Sequence, residues 1–308
     1  MKKIVLILGI FFFGNSAFAQ QDPQYTQYMY NMNVINPAYA TATESVLNIG
    51  TMYRTQWVGA VGSPKTLTFF AHLPVNTKIE VGFSLISDDI GDGAKKENNF
   101  FADFGYVLKL NNNHRFSFGL KAGFTTLVTN FNGFKFESSS PDFAFENNDI
   151  VKPNIGIGTY YFTNKYYLGL SAPNLLHSKH IEERSGISDY GSENVHVFFT
   201  GGYVFSVSDS FKFKPAFMSK FIKGAPIALD LSANVLYNDT FEVGAAYRFD
   251  DAICVLMNVN VAPSIKVGYA YDYTLSNLGQ FNSGTHEFFM LFNLDLLSKG
   301  YDKSPRFF

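Results

Sequence analysis

Apolar and polar side chains alternate with a period of two along most of this chain. Between residues 229 and 237 the odd positions are Leu, Leu, Ala, Val and Tyr, whereas three of the four even positions are Asp, Ser and Asn. Asn238-Asp239 follows, a pair typical of tight turns, and residues 241–249 return with Phe, Val, Ala, Tyr and Phe at the odd positions. Such alternation predicts an antiparallel hairpin with one apolar face and one polar or small face.

The same alternation recurs in about fourteen segments, each near the ~9–11 residues that a tilted strand needs to cross a bilayer. Aromatic residues are frequent at the ends of these segments, as expected for side chains at the two membrane interfaces. The pattern predicts strands at 45–57, 65–74, 78–87, 98–110, 114–128, 151–162, 165–173, 195–206, 211–222, 226–237, 240–249, 252–261, 264–273 and 285–295.

Short turns alternate with longer connections along the predicted series of strands. Starting from the second connection, every other one is a short turn, whereas the remaining set contains every long connection: 88–97, 129–150, 174–194 and 274–284. Outer-membrane barrels have this asymmetry, with short periplasmic turns and longer outer loops. The sequence therefore predicts an all-β fold, a transmembrane antiparallel β-barrel of the outer membrane with about 14 strands. Because the number of strands is even and the short turns lie in the periplasm, we expect both ends of the chain in the periplasm.

The composition supports a barrel that is surrounded by lipid. The chain has 34 Phe, 18 Tyr and 25 Gly, and only 16% of its residues are charged, whereas soluble domains have about a quarter. An exported β-sandwich would also alternate, but here the second face is polar or glycine on most strands, which suits a solvated lumen. The formal charge of −2 gives no reason to expect a nucleic-acid partner.

The chain begins with features of a Sec signal peptide. Lys2 and Lys3 precede an apolar run, and Ala17-Phe18-Ala19 is a small-x-small cleavage site. We therefore expect a signal peptide at 1–19, a periplasmic N-terminal plug or cap at 20–44, the barrel at 45–296 and a periplasmic tail at 297–308. The segment 21–40 is rich in Tyr, Asn and Gln, whose side chains can hydrogen-bond within a polar lumen, whereas a disordered leader would favour charge and avoid aromatics.

The sequence offers little catalytic chemistry. The six histidines have no HExxH spacing, the single Cys254 has no His nearby in sequence, and no G-x-S-x-G motif occurs. The run Asp88-Asp89-Ile90-Gly91-Asp92-Gly93 resembles a calcium loop but lacks its ligand alternation and its closing Glu. No Ser–His–acid set can be assembled. We therefore predict a protein that is not an enzyme, with no catalytic residue, cofactor or metal.

Charged residues fall on the polar face, mainly in the last five strands. They are either a binding or gating site inside the barrel or a structural ion-pair network in a closed pore, and the second interpretation is favoured because inward charges are normal in such barrels. A barrel of about fourteen strands is too wide for strand side chains alone to fill, so it is plugged or it conducts. The lumen polar cluster comprises Glu242, Arg248, Lys266, Asp272 and Glu287.

The long outer loops are the candidates for partner binding. The loop 129–150 has several aromatic residues that are either exposed anchors for a partner or an inward-folded lid. The only tryptophan lies near the first outer turn, as an interface anchor or a partner contact. The candidate partner-binding residues are Trp57, Phe131, Phe134, Phe136, Phe143, Phe145, His177 and His180.

Several ordered motifs resemble the PorP/SprF family of the type IX secretion system. Thr41 and Thr285 depart mildly from the family, which more often has Gly and Ser there. The motifs span nearly the whole mature chain: Asp22-Pro23-Gln24-Tyr25, Gln27-Tyr28-Met29, Ile35-Asn36-Pro37-Ala38-Tyr39, Arg54-Thr55-Gln56-Trp57-Val58-Gly59, Gly62-Ser63-Pro64 with Thr66, Tyr247-Arg248, Gly268-Tyr269-Ala270-Tyr271-Asp272-Tyr273 and Gly284-Thr285-His286-Glu287.

This resemblance implies an outer-membrane protein of the Bacteroidetes that assists secretion or surface attachment of a cargo protein. Such cargo has a C-terminal sorting domain and is often an adhesin, in some members one of gliding motility. The resemblance also implies association with other components of the secretion machine, in addition to the surrounding outer-membrane lipid. The family motifs have no assigned chemistry, so the resemblance supplies no catalytic residue. The alternative function is an outer-membrane channel for small solutes, with the lumen charges as its lining.

Overall fold

The computed structural model describes residues 23–41, 46–132, 147–176 and 194–296. Its strands are β1 (Val46–Thr55), β2 (Lys65–Pro74), β3 (Ile79–Ile90), β4 (Lys95–Lys109), β5 (Arg115–Thr129), β6 (Asn148–Phe162), β7 (Tyr166–Ala172), β8 (His196–Tyr203), β9 (Phe205–Ser206), β10 (Phe211–Ile222), β11 (Ala228–Tyr237), β12 (Phe241–Arg248), β13 (Ala252–Ala262), β14 (Ile265–Thr274) and β15 (Thr285–Asp295).

These strands form one closed antiparallel barrel. Apart from the two-residue β9, each strand pairs with its neighbours in sequence, and β1 pairs with β15 to close the sheet, from Val46 opposite Asp295 to Thr55 opposite His286. The two-residue β9 continues β8 along the same edge of β10 after an interruption at Val204. The barrel wall therefore has fourteen strands, which confirms the predicted fold class and strand number.

The outward face of the wall is apolar and the inward face is polar, which is the reverse of the arrangement in a soluble protein. Outward-facing residues such as Leu120, Val255 and Met257 are apolar and more than half exposed. Inward-facing residues such as Glu242 and Glu287 are charged and at most 1% exposed. Apolar side chains without a protein partner require lipid, so this arrangement fits a barrel that spans a membrane.

Strands β3 and β4 extend further outward than the sequence predicts. The expected long connection 88–97 is wrong: β3 continues to Ile90 and β4 begins at Lys95, so that only four residues connect them. Asp89 and Lys96 pair in register and form an ion pair of 3.6 Å. These residues are polar on both faces of the strands because water replaces lipid beyond the bilayer, and a search for apolar alternation therefore ends too early.

Residues 23–41, here called the N-terminal segment, lie inside the barrel. They form a 3-10 turn at Tyr28–Tyr30 and a short helix, α1, at Met32–Ile35. Their aromatic and aliphatic side chains join a core with inward residues of the wall, among them Phe70 and Phe289. Within the described residues, no helix is long and apolar enough to cross a membrane.

Two outer loops are tied together by backbone hydrogen bonds. In the loop from β1 to β2, the carbonyl oxygen of Val58 accepts the amide of Ser283 at 2.7 Å, and the amide of Val58 donates to the carbonyl oxygen of Gly284 at 2.8 Å. Ser283 and Gly284 belong to the loop from β14 to β15. The second loop contains a 3-10 turn at Asn277–Phe281. This outer platform, residues 56–64 and 275–284, has a fixed backbone and carries exposed apolar side chains: Val61 (100% exposed), Leu275, Leu278 and Phe281 (71%).

Candidate functional site

The N-terminal segment crosses the lumen from one end of the barrel to the other. Thr26 contacts Glu287, which lies two residues after the outer start of β15. Thr41 contacts Glu80, which is the second residue of β3 at the end with the short turns. Inward side chains of the wall bind the segment along its path. The lumen is thus a site that holds a peptide, and the peptide is part of the same chain.

A buried cluster lies at the outer end of the lumen. This cluster, which we call the outer latch, consists of Thr26, Gln27, Arg54, Asp272 and Glu287. The backbone amides of Thr26 and Gln27 donate to the two carboxylate oxygens of Glu287, at 2.9 and 2.8 Å. The Thr26 hydroxyl lies 2.7 and 2.8 Å from the two carboxylate oxygens of Asp272. The segment therefore supplies four contacts to two carboxylates.

Arg54 supplies the positive charge of the outer latch. Its Nη2 lies 2.8 Å from Oδ2 of Asp272, and its Nη1 lies 3.0 Å from Oε2 of Glu287 and donates to the Thr26 hydroxyl at 3.0 Å. Arg54 is 2% exposed. Two buried carboxylates this close together would repel, so the guanidinium group is required for both to be ionised.

A second arginine extends the outer latch along the wall. Nε of Arg248 donates to both carboxylate oxygens of Asp230, at 3.2 and 3.1 Å, and its Nη1 lies 3.7 Å from Oδ2 of Asp272. Asp251 lies 3.4 Å from the same Nη1. The outer end of the lumen thus contains an alternating network of acids and arginines in which each charge has a partner of opposite sign.

A second group, the inner clamp, lies towards the periplasmic end and consists of Tyr30, Asn234, Glu242 and Lys266. Glu242 accepts from Lys266 at 2.9 Å, from Nδ2 of Asn234 at 2.5 Å and from the Tyr30 hydroxyl. The Tyr30 hydroxyl is the donor in this contact, because an ionised carboxylate only accepts hydrogen bonds.

The ring of Tyr30 is held as firmly as its hydroxyl. It stacks on Phe289 with ring centroids 4.7 Å apart, and Nζ of Lys266 lies 4.5 Å above its centroid. Nζ of Lys214 lies 5.3 Å from the same centroid. Stacking and cation–π contacts each contribute about 0.5–2 kcal/mol at desolvated sites. Tyr30 is therefore an anchor of the N-terminal segment.

Beyond Tyr30 the segment packs against the wall through backbone contacts. Lys121 donates to the carbonyl oxygens of Asn33 and Val34, at 3.3 and 3.0 Å, at the end of α1. The Ser171 hydroxyl donates to the carbonyl oxygen of Ile35, at 2.9 Å. These donors satisfy helix carbonyl groups that have no partner within such a short helix.

Glycines on the wall allow the segment to come close. A Cβ atom at Gly119 would lie 2.2 Å from the backbone of Pro37 and Ala38, and one at Gly158 would lie 2.1 Å from Oδ1 of Asn36. Real side chains do not tolerate such distances. These positions require glycine because the main chain of the segment occupies the space of a side chain.

The structure distributes the predicted lumen polar cluster over both ends of the lumen. Asp272 and Glu287 belong to the outer latch, which Arg248 adjoins through Asp272, whereas Glu242 and Lys266 meet in the inner clamp. Arg54 links Asp272 and Glu287, but from the sequence it was noted only as part of a family motif. Thr26 and Tyr30 were also missed as individual contacts, although their type and position fit the proposed polar contacts within the lumen.

The predicted partner-binding residues are only partly described. Trp57 is half-buried at the start of the outer platform, where its amide donates to the Thr285 hydroxyl at 3.0 Å and its φ of 49° is left-handed. Phe131 is half-buried next to Asn147, whose Oδ1 accepts its amide at 2.8 Å. Outside the described residues lie Phe134, Phe136, Phe143, Phe145, His177 and His180.

The calcium-like run 88–93 comprises the end of β3 and the start of the turn that follows it. Asp88 accepts from the Thr66 hydroxyl at 2.5 Å, Asp89 accepts the amide of Gly93 at 2.7 Å, and Asp92 pairs with Lys65 at 3.1 Å. No group of three or more His, Cys, Asp or Glu residues suited to a metal ion occurs among the described residues. The acidic side chains therefore have structural partners in this turn.

A family model described as type IX secretion system membrane protein PorP/SprF matches residues 17–292. The chain belongs to the PorP/SprF family. The match covers the outer latch and the inner clamp, from Thr26 to Glu287. No curated protein sequence matches the chain significantly.

Solved structures resemble this PorP/SprF protein in fold. A Pseudomonas aeruginosa FadL homologue shares 11% identity, with 92% of this chain and 96% of that chain covered and a TM-score of 0.50. The TodX ΔS2S3 mutant, a monoaromatic hydrocarbon channel, shares 9% identity, with 86% and 94% covered and a TM-score of 0.50. Acinetobacter baumannii Omp33 shares 8% identity, with 82% and 100% covered and a TM-score of 0.49. At these identities the likeness to the first two extends to the outer-membrane barrel fold alone.

Proposed function

We propose that this PorP/SprF protein is a non-enzymatic barrel that assists secretion or surface attachment of a cargo protein through the cargo's C-terminal sorting domain. The cargo is adhesin-like and arrives through the type IX secretion system, with other components of that system as partners. The observation that carries the proposal is the combination of family membership with a lumen that is occupied by the chain's own N-terminal segment. A barrel filled in this way acts through its surfaces rather than through a pore.

The outer platform is a suitable docking surface for such a partner. Val61, Leu278 and Phe281 are exposed apolar side chains on the side of the long loops, and the hydrogen bonds between Val58, Ser283 and Gly284 hold their backbones in place. Exposed aromatic and aliphatic groups on a rigid backbone are typical anchors of protein interfaces. Trp57 belongs to this platform, and the aromatic residues of 129–150 and the histidines of 174–194 are further candidates, because the sequence predicts both connections to be outer loops.

The proposal is tested by replacing the two most exposed anchors. The double variant Val61→Ser and Phe281→Ser should reach the outer membrane at the level of the wild type but recover less cargo in a pull-down from native membranes. The matched control is Val207→Ser, because Val207 is 69% exposed in a turn at the opposite end of the barrel. Unchanged cargo recovery in the double variant, together with unchanged recovery after deletion of 174–194, would exclude the outer loops as the dock.

The alternative function is a channel for small solutes, and the fold likeness to a protein described as a monoaromatic hydrocarbon channel supports it. Planar-bilayer recordings distinguish the two functions. We expect the full-length barrel to pass little current and a variant that lacks residues 23–41 to pass more, if it folds. A large, steady conductance of the intact protein would favour the channel. Folding of each preparation is checked by its heat-modifiable migration in gels.

A further inference from the structure

The N-terminal segment enters the lumen from the unexpected end. From the sequence we expect residues 20–44 to form a plug or cap on the periplasmic side, but the outer latch holds Thr26 at the opposite end of the strands. Arg54 is one residue before the outer end of β1, and Asp272 is two residues before the outer end of β14. These ends carry the long connections, which face the cell surface in outer-membrane barrels.

Pro23 lies at the same outer level. It lines two small cavities, one beside Lys220 and Ala228 near the outer ends of β10 and β11, the other beside Ile86 and Asn99 in the outer halves of β3 and β4. Pro23 and Gln24 are partly exposed, whereas residues 25–28 are buried. The chain therefore becomes accessible to solvent as it is followed back towards residue 23.

The other end of the segment lies near the periplasm. Thr41 binds Glu80, which also lies 2.9 Å from Nε2 of His72, and β1 begins at Val46 on this side. The two ends of the N-terminal segment, Pro23 and Thr41, therefore lie at opposite ends of the lumen. A segment that only capped the periplasmic mouth would contact neither Arg54 nor Asp272.

From this path we infer that the chain ahead of Pro23 emerges at the cell-surface mouth, so that the processed N-terminus is presented outside the cell. With cleavage after Ala19, only Gln20, Gln21 and Asp22 precede Pro23, a reach of about 10 Å when fully extended. The strands of the wall are about 30 Å long, so three residues cannot return to the periplasm.

Single cysteines test this inference in intact cells. Asp22→Cys should react with a membrane-impermeant maleimide as Val61→Cys does, because both positions face outward. Val207→Cys, in a short turn at the other end, should react only after the outer membrane is permeabilised. The native Cys254 is buried and 1% exposed, so the wild-type protein serves as the blank. Only protein with heat-modifiable migration is scored, and Gln21→Cys replaces Asp22→Cys if the latter does not fold.

Each labelling result corresponds to a different location of the N-terminus. Labelling of Asp22→Cys in intact cells at a level comparable with Val61→Cys supports the surface-exposed N-terminus. Labelling only after permeabilisation would place the N-terminus in the periplasm, and no labelling of folded protein under either condition would place it within the lumen; both results overturn the inference. The pull-down with Val61→Ser and Phe281→Ser is independent of this result, so the inference and the proposed function can fail separately.

Discussion

Arg54 on the first strand of the barrel lies directly opposite Glu287 on the last, and Nη1 of the arginine is 3.0 Å from Oε2 of the glutamate. Thr26 of the N-terminal segment contacts both side chains. The contact that joins the two edges of the sheet is therefore also the contact that holds the segment in the lumen. Closure of the barrel and occupation of its lumen depend on the same charges.

Replacement of Arg54 by methionine should destabilise the protein strongly. The substitution keeps much of the side-chain volume but leaves Asp272 and Glu287 without their nearest positive charge, and breaking a buried ion pair by removing one partner costs about 3–5 kcal/mol. We expect a lower midpoint of denaturant unfolding in lipid vesicles and a larger single-channel current. Lys65→Met is the matched control, because Lys65 forms an exposed ion pair with Asp92, and its unfolding midpoint should not change.

Replacement of Tyr30 by phenylalanine tests the inner clamp more gently. The ring, its stacking on Phe289 and its cation–π contacts remain, and the hydroxyl's hydrogen bonds with Glu242 and Lys266 are lost. Hydrogen bonds to charged groups contribute about 1.5–3 kcal/mol, so the free energy of unfolding should fall by about 2 kcal/mol. Tyr273→Phe, on the exposed outer face, provides the comparison and should leave it unchanged. Equal stability of all three proteins would show that the hydroxyl contributes nothing.

Two paired glycines distinguish close packing of the segment from general effects of a methyl group. Gly105 and Gly119 lie opposite each other on β4 and β5. A Cβ at Gly119 would lie 2.2 Å from Ala38 N, whereas one at Gly105 has its nearest atom at 3.7 Å. Gly119→Ala should lose about 1–3 kcal/mol of stability and loosen the segment, measured as faster proteolysis within 23–41, while Gly105→Ala should behave as wild type. Identical behaviour of the two would contradict the described contact.

The cost of placing a charge on the lipid-facing surface should depend strongly on its depth in the bilayer. Met257 is 58% exposed near the middle of β13, where arginine should cost about 2–4 kcal/mol of folding free energy in a bilayer. Val61→Arg carries the same charge to the outer platform, where water solvates it, and should fold as wild type. The measurement is the folded fraction in lipid vesicles at increasing urea concentrations. A protein that tolerates Met257→Arg as well as Val61→Arg would not have this face in lipid.

Alternation was sufficient to predict the barrel because lipid and lumen impose opposite requirements on neighbouring residues of each strand. The prediction held where a strand crosses the membrane, as in Ile265–Thr274, predicted at 264–273. The predicted strands stopped at 87 and resumed at 98, whereas β3 continues to Ile90 and β4 begins at Lys95. In this part the strands extend into water, so the alternation of apolar and polar residues is lost. The limits of the bilayer, rather than those of the sheet, determined where the pattern stopped.

The residues of the lumen could be predicted as a class but not as pairs. Glu242 and Lys266 are 24 positions apart, and Arg54 and Glu287 are 233 apart, so their contacts follow from strand register and closure and not from local sequence. Arg54 could have been found from its inward position on β1, between the outward-facing Tyr53 and Thr55. The direction of the N-terminal segment had no comparable signal, because its side chains suit either mouth of a polar lumen.

The seam between β1 and β15 is complete only with the N-terminal segment in place. If the two edges met around an empty interior, Asp272 and Glu287 would lack the hydrogen-bond donors of Thr26 and Gln27. Joining the first strand to the last is therefore most favourable when the segment already lies between them, and the beginning of the chain acts as a structural part of the junction that closes the sheet.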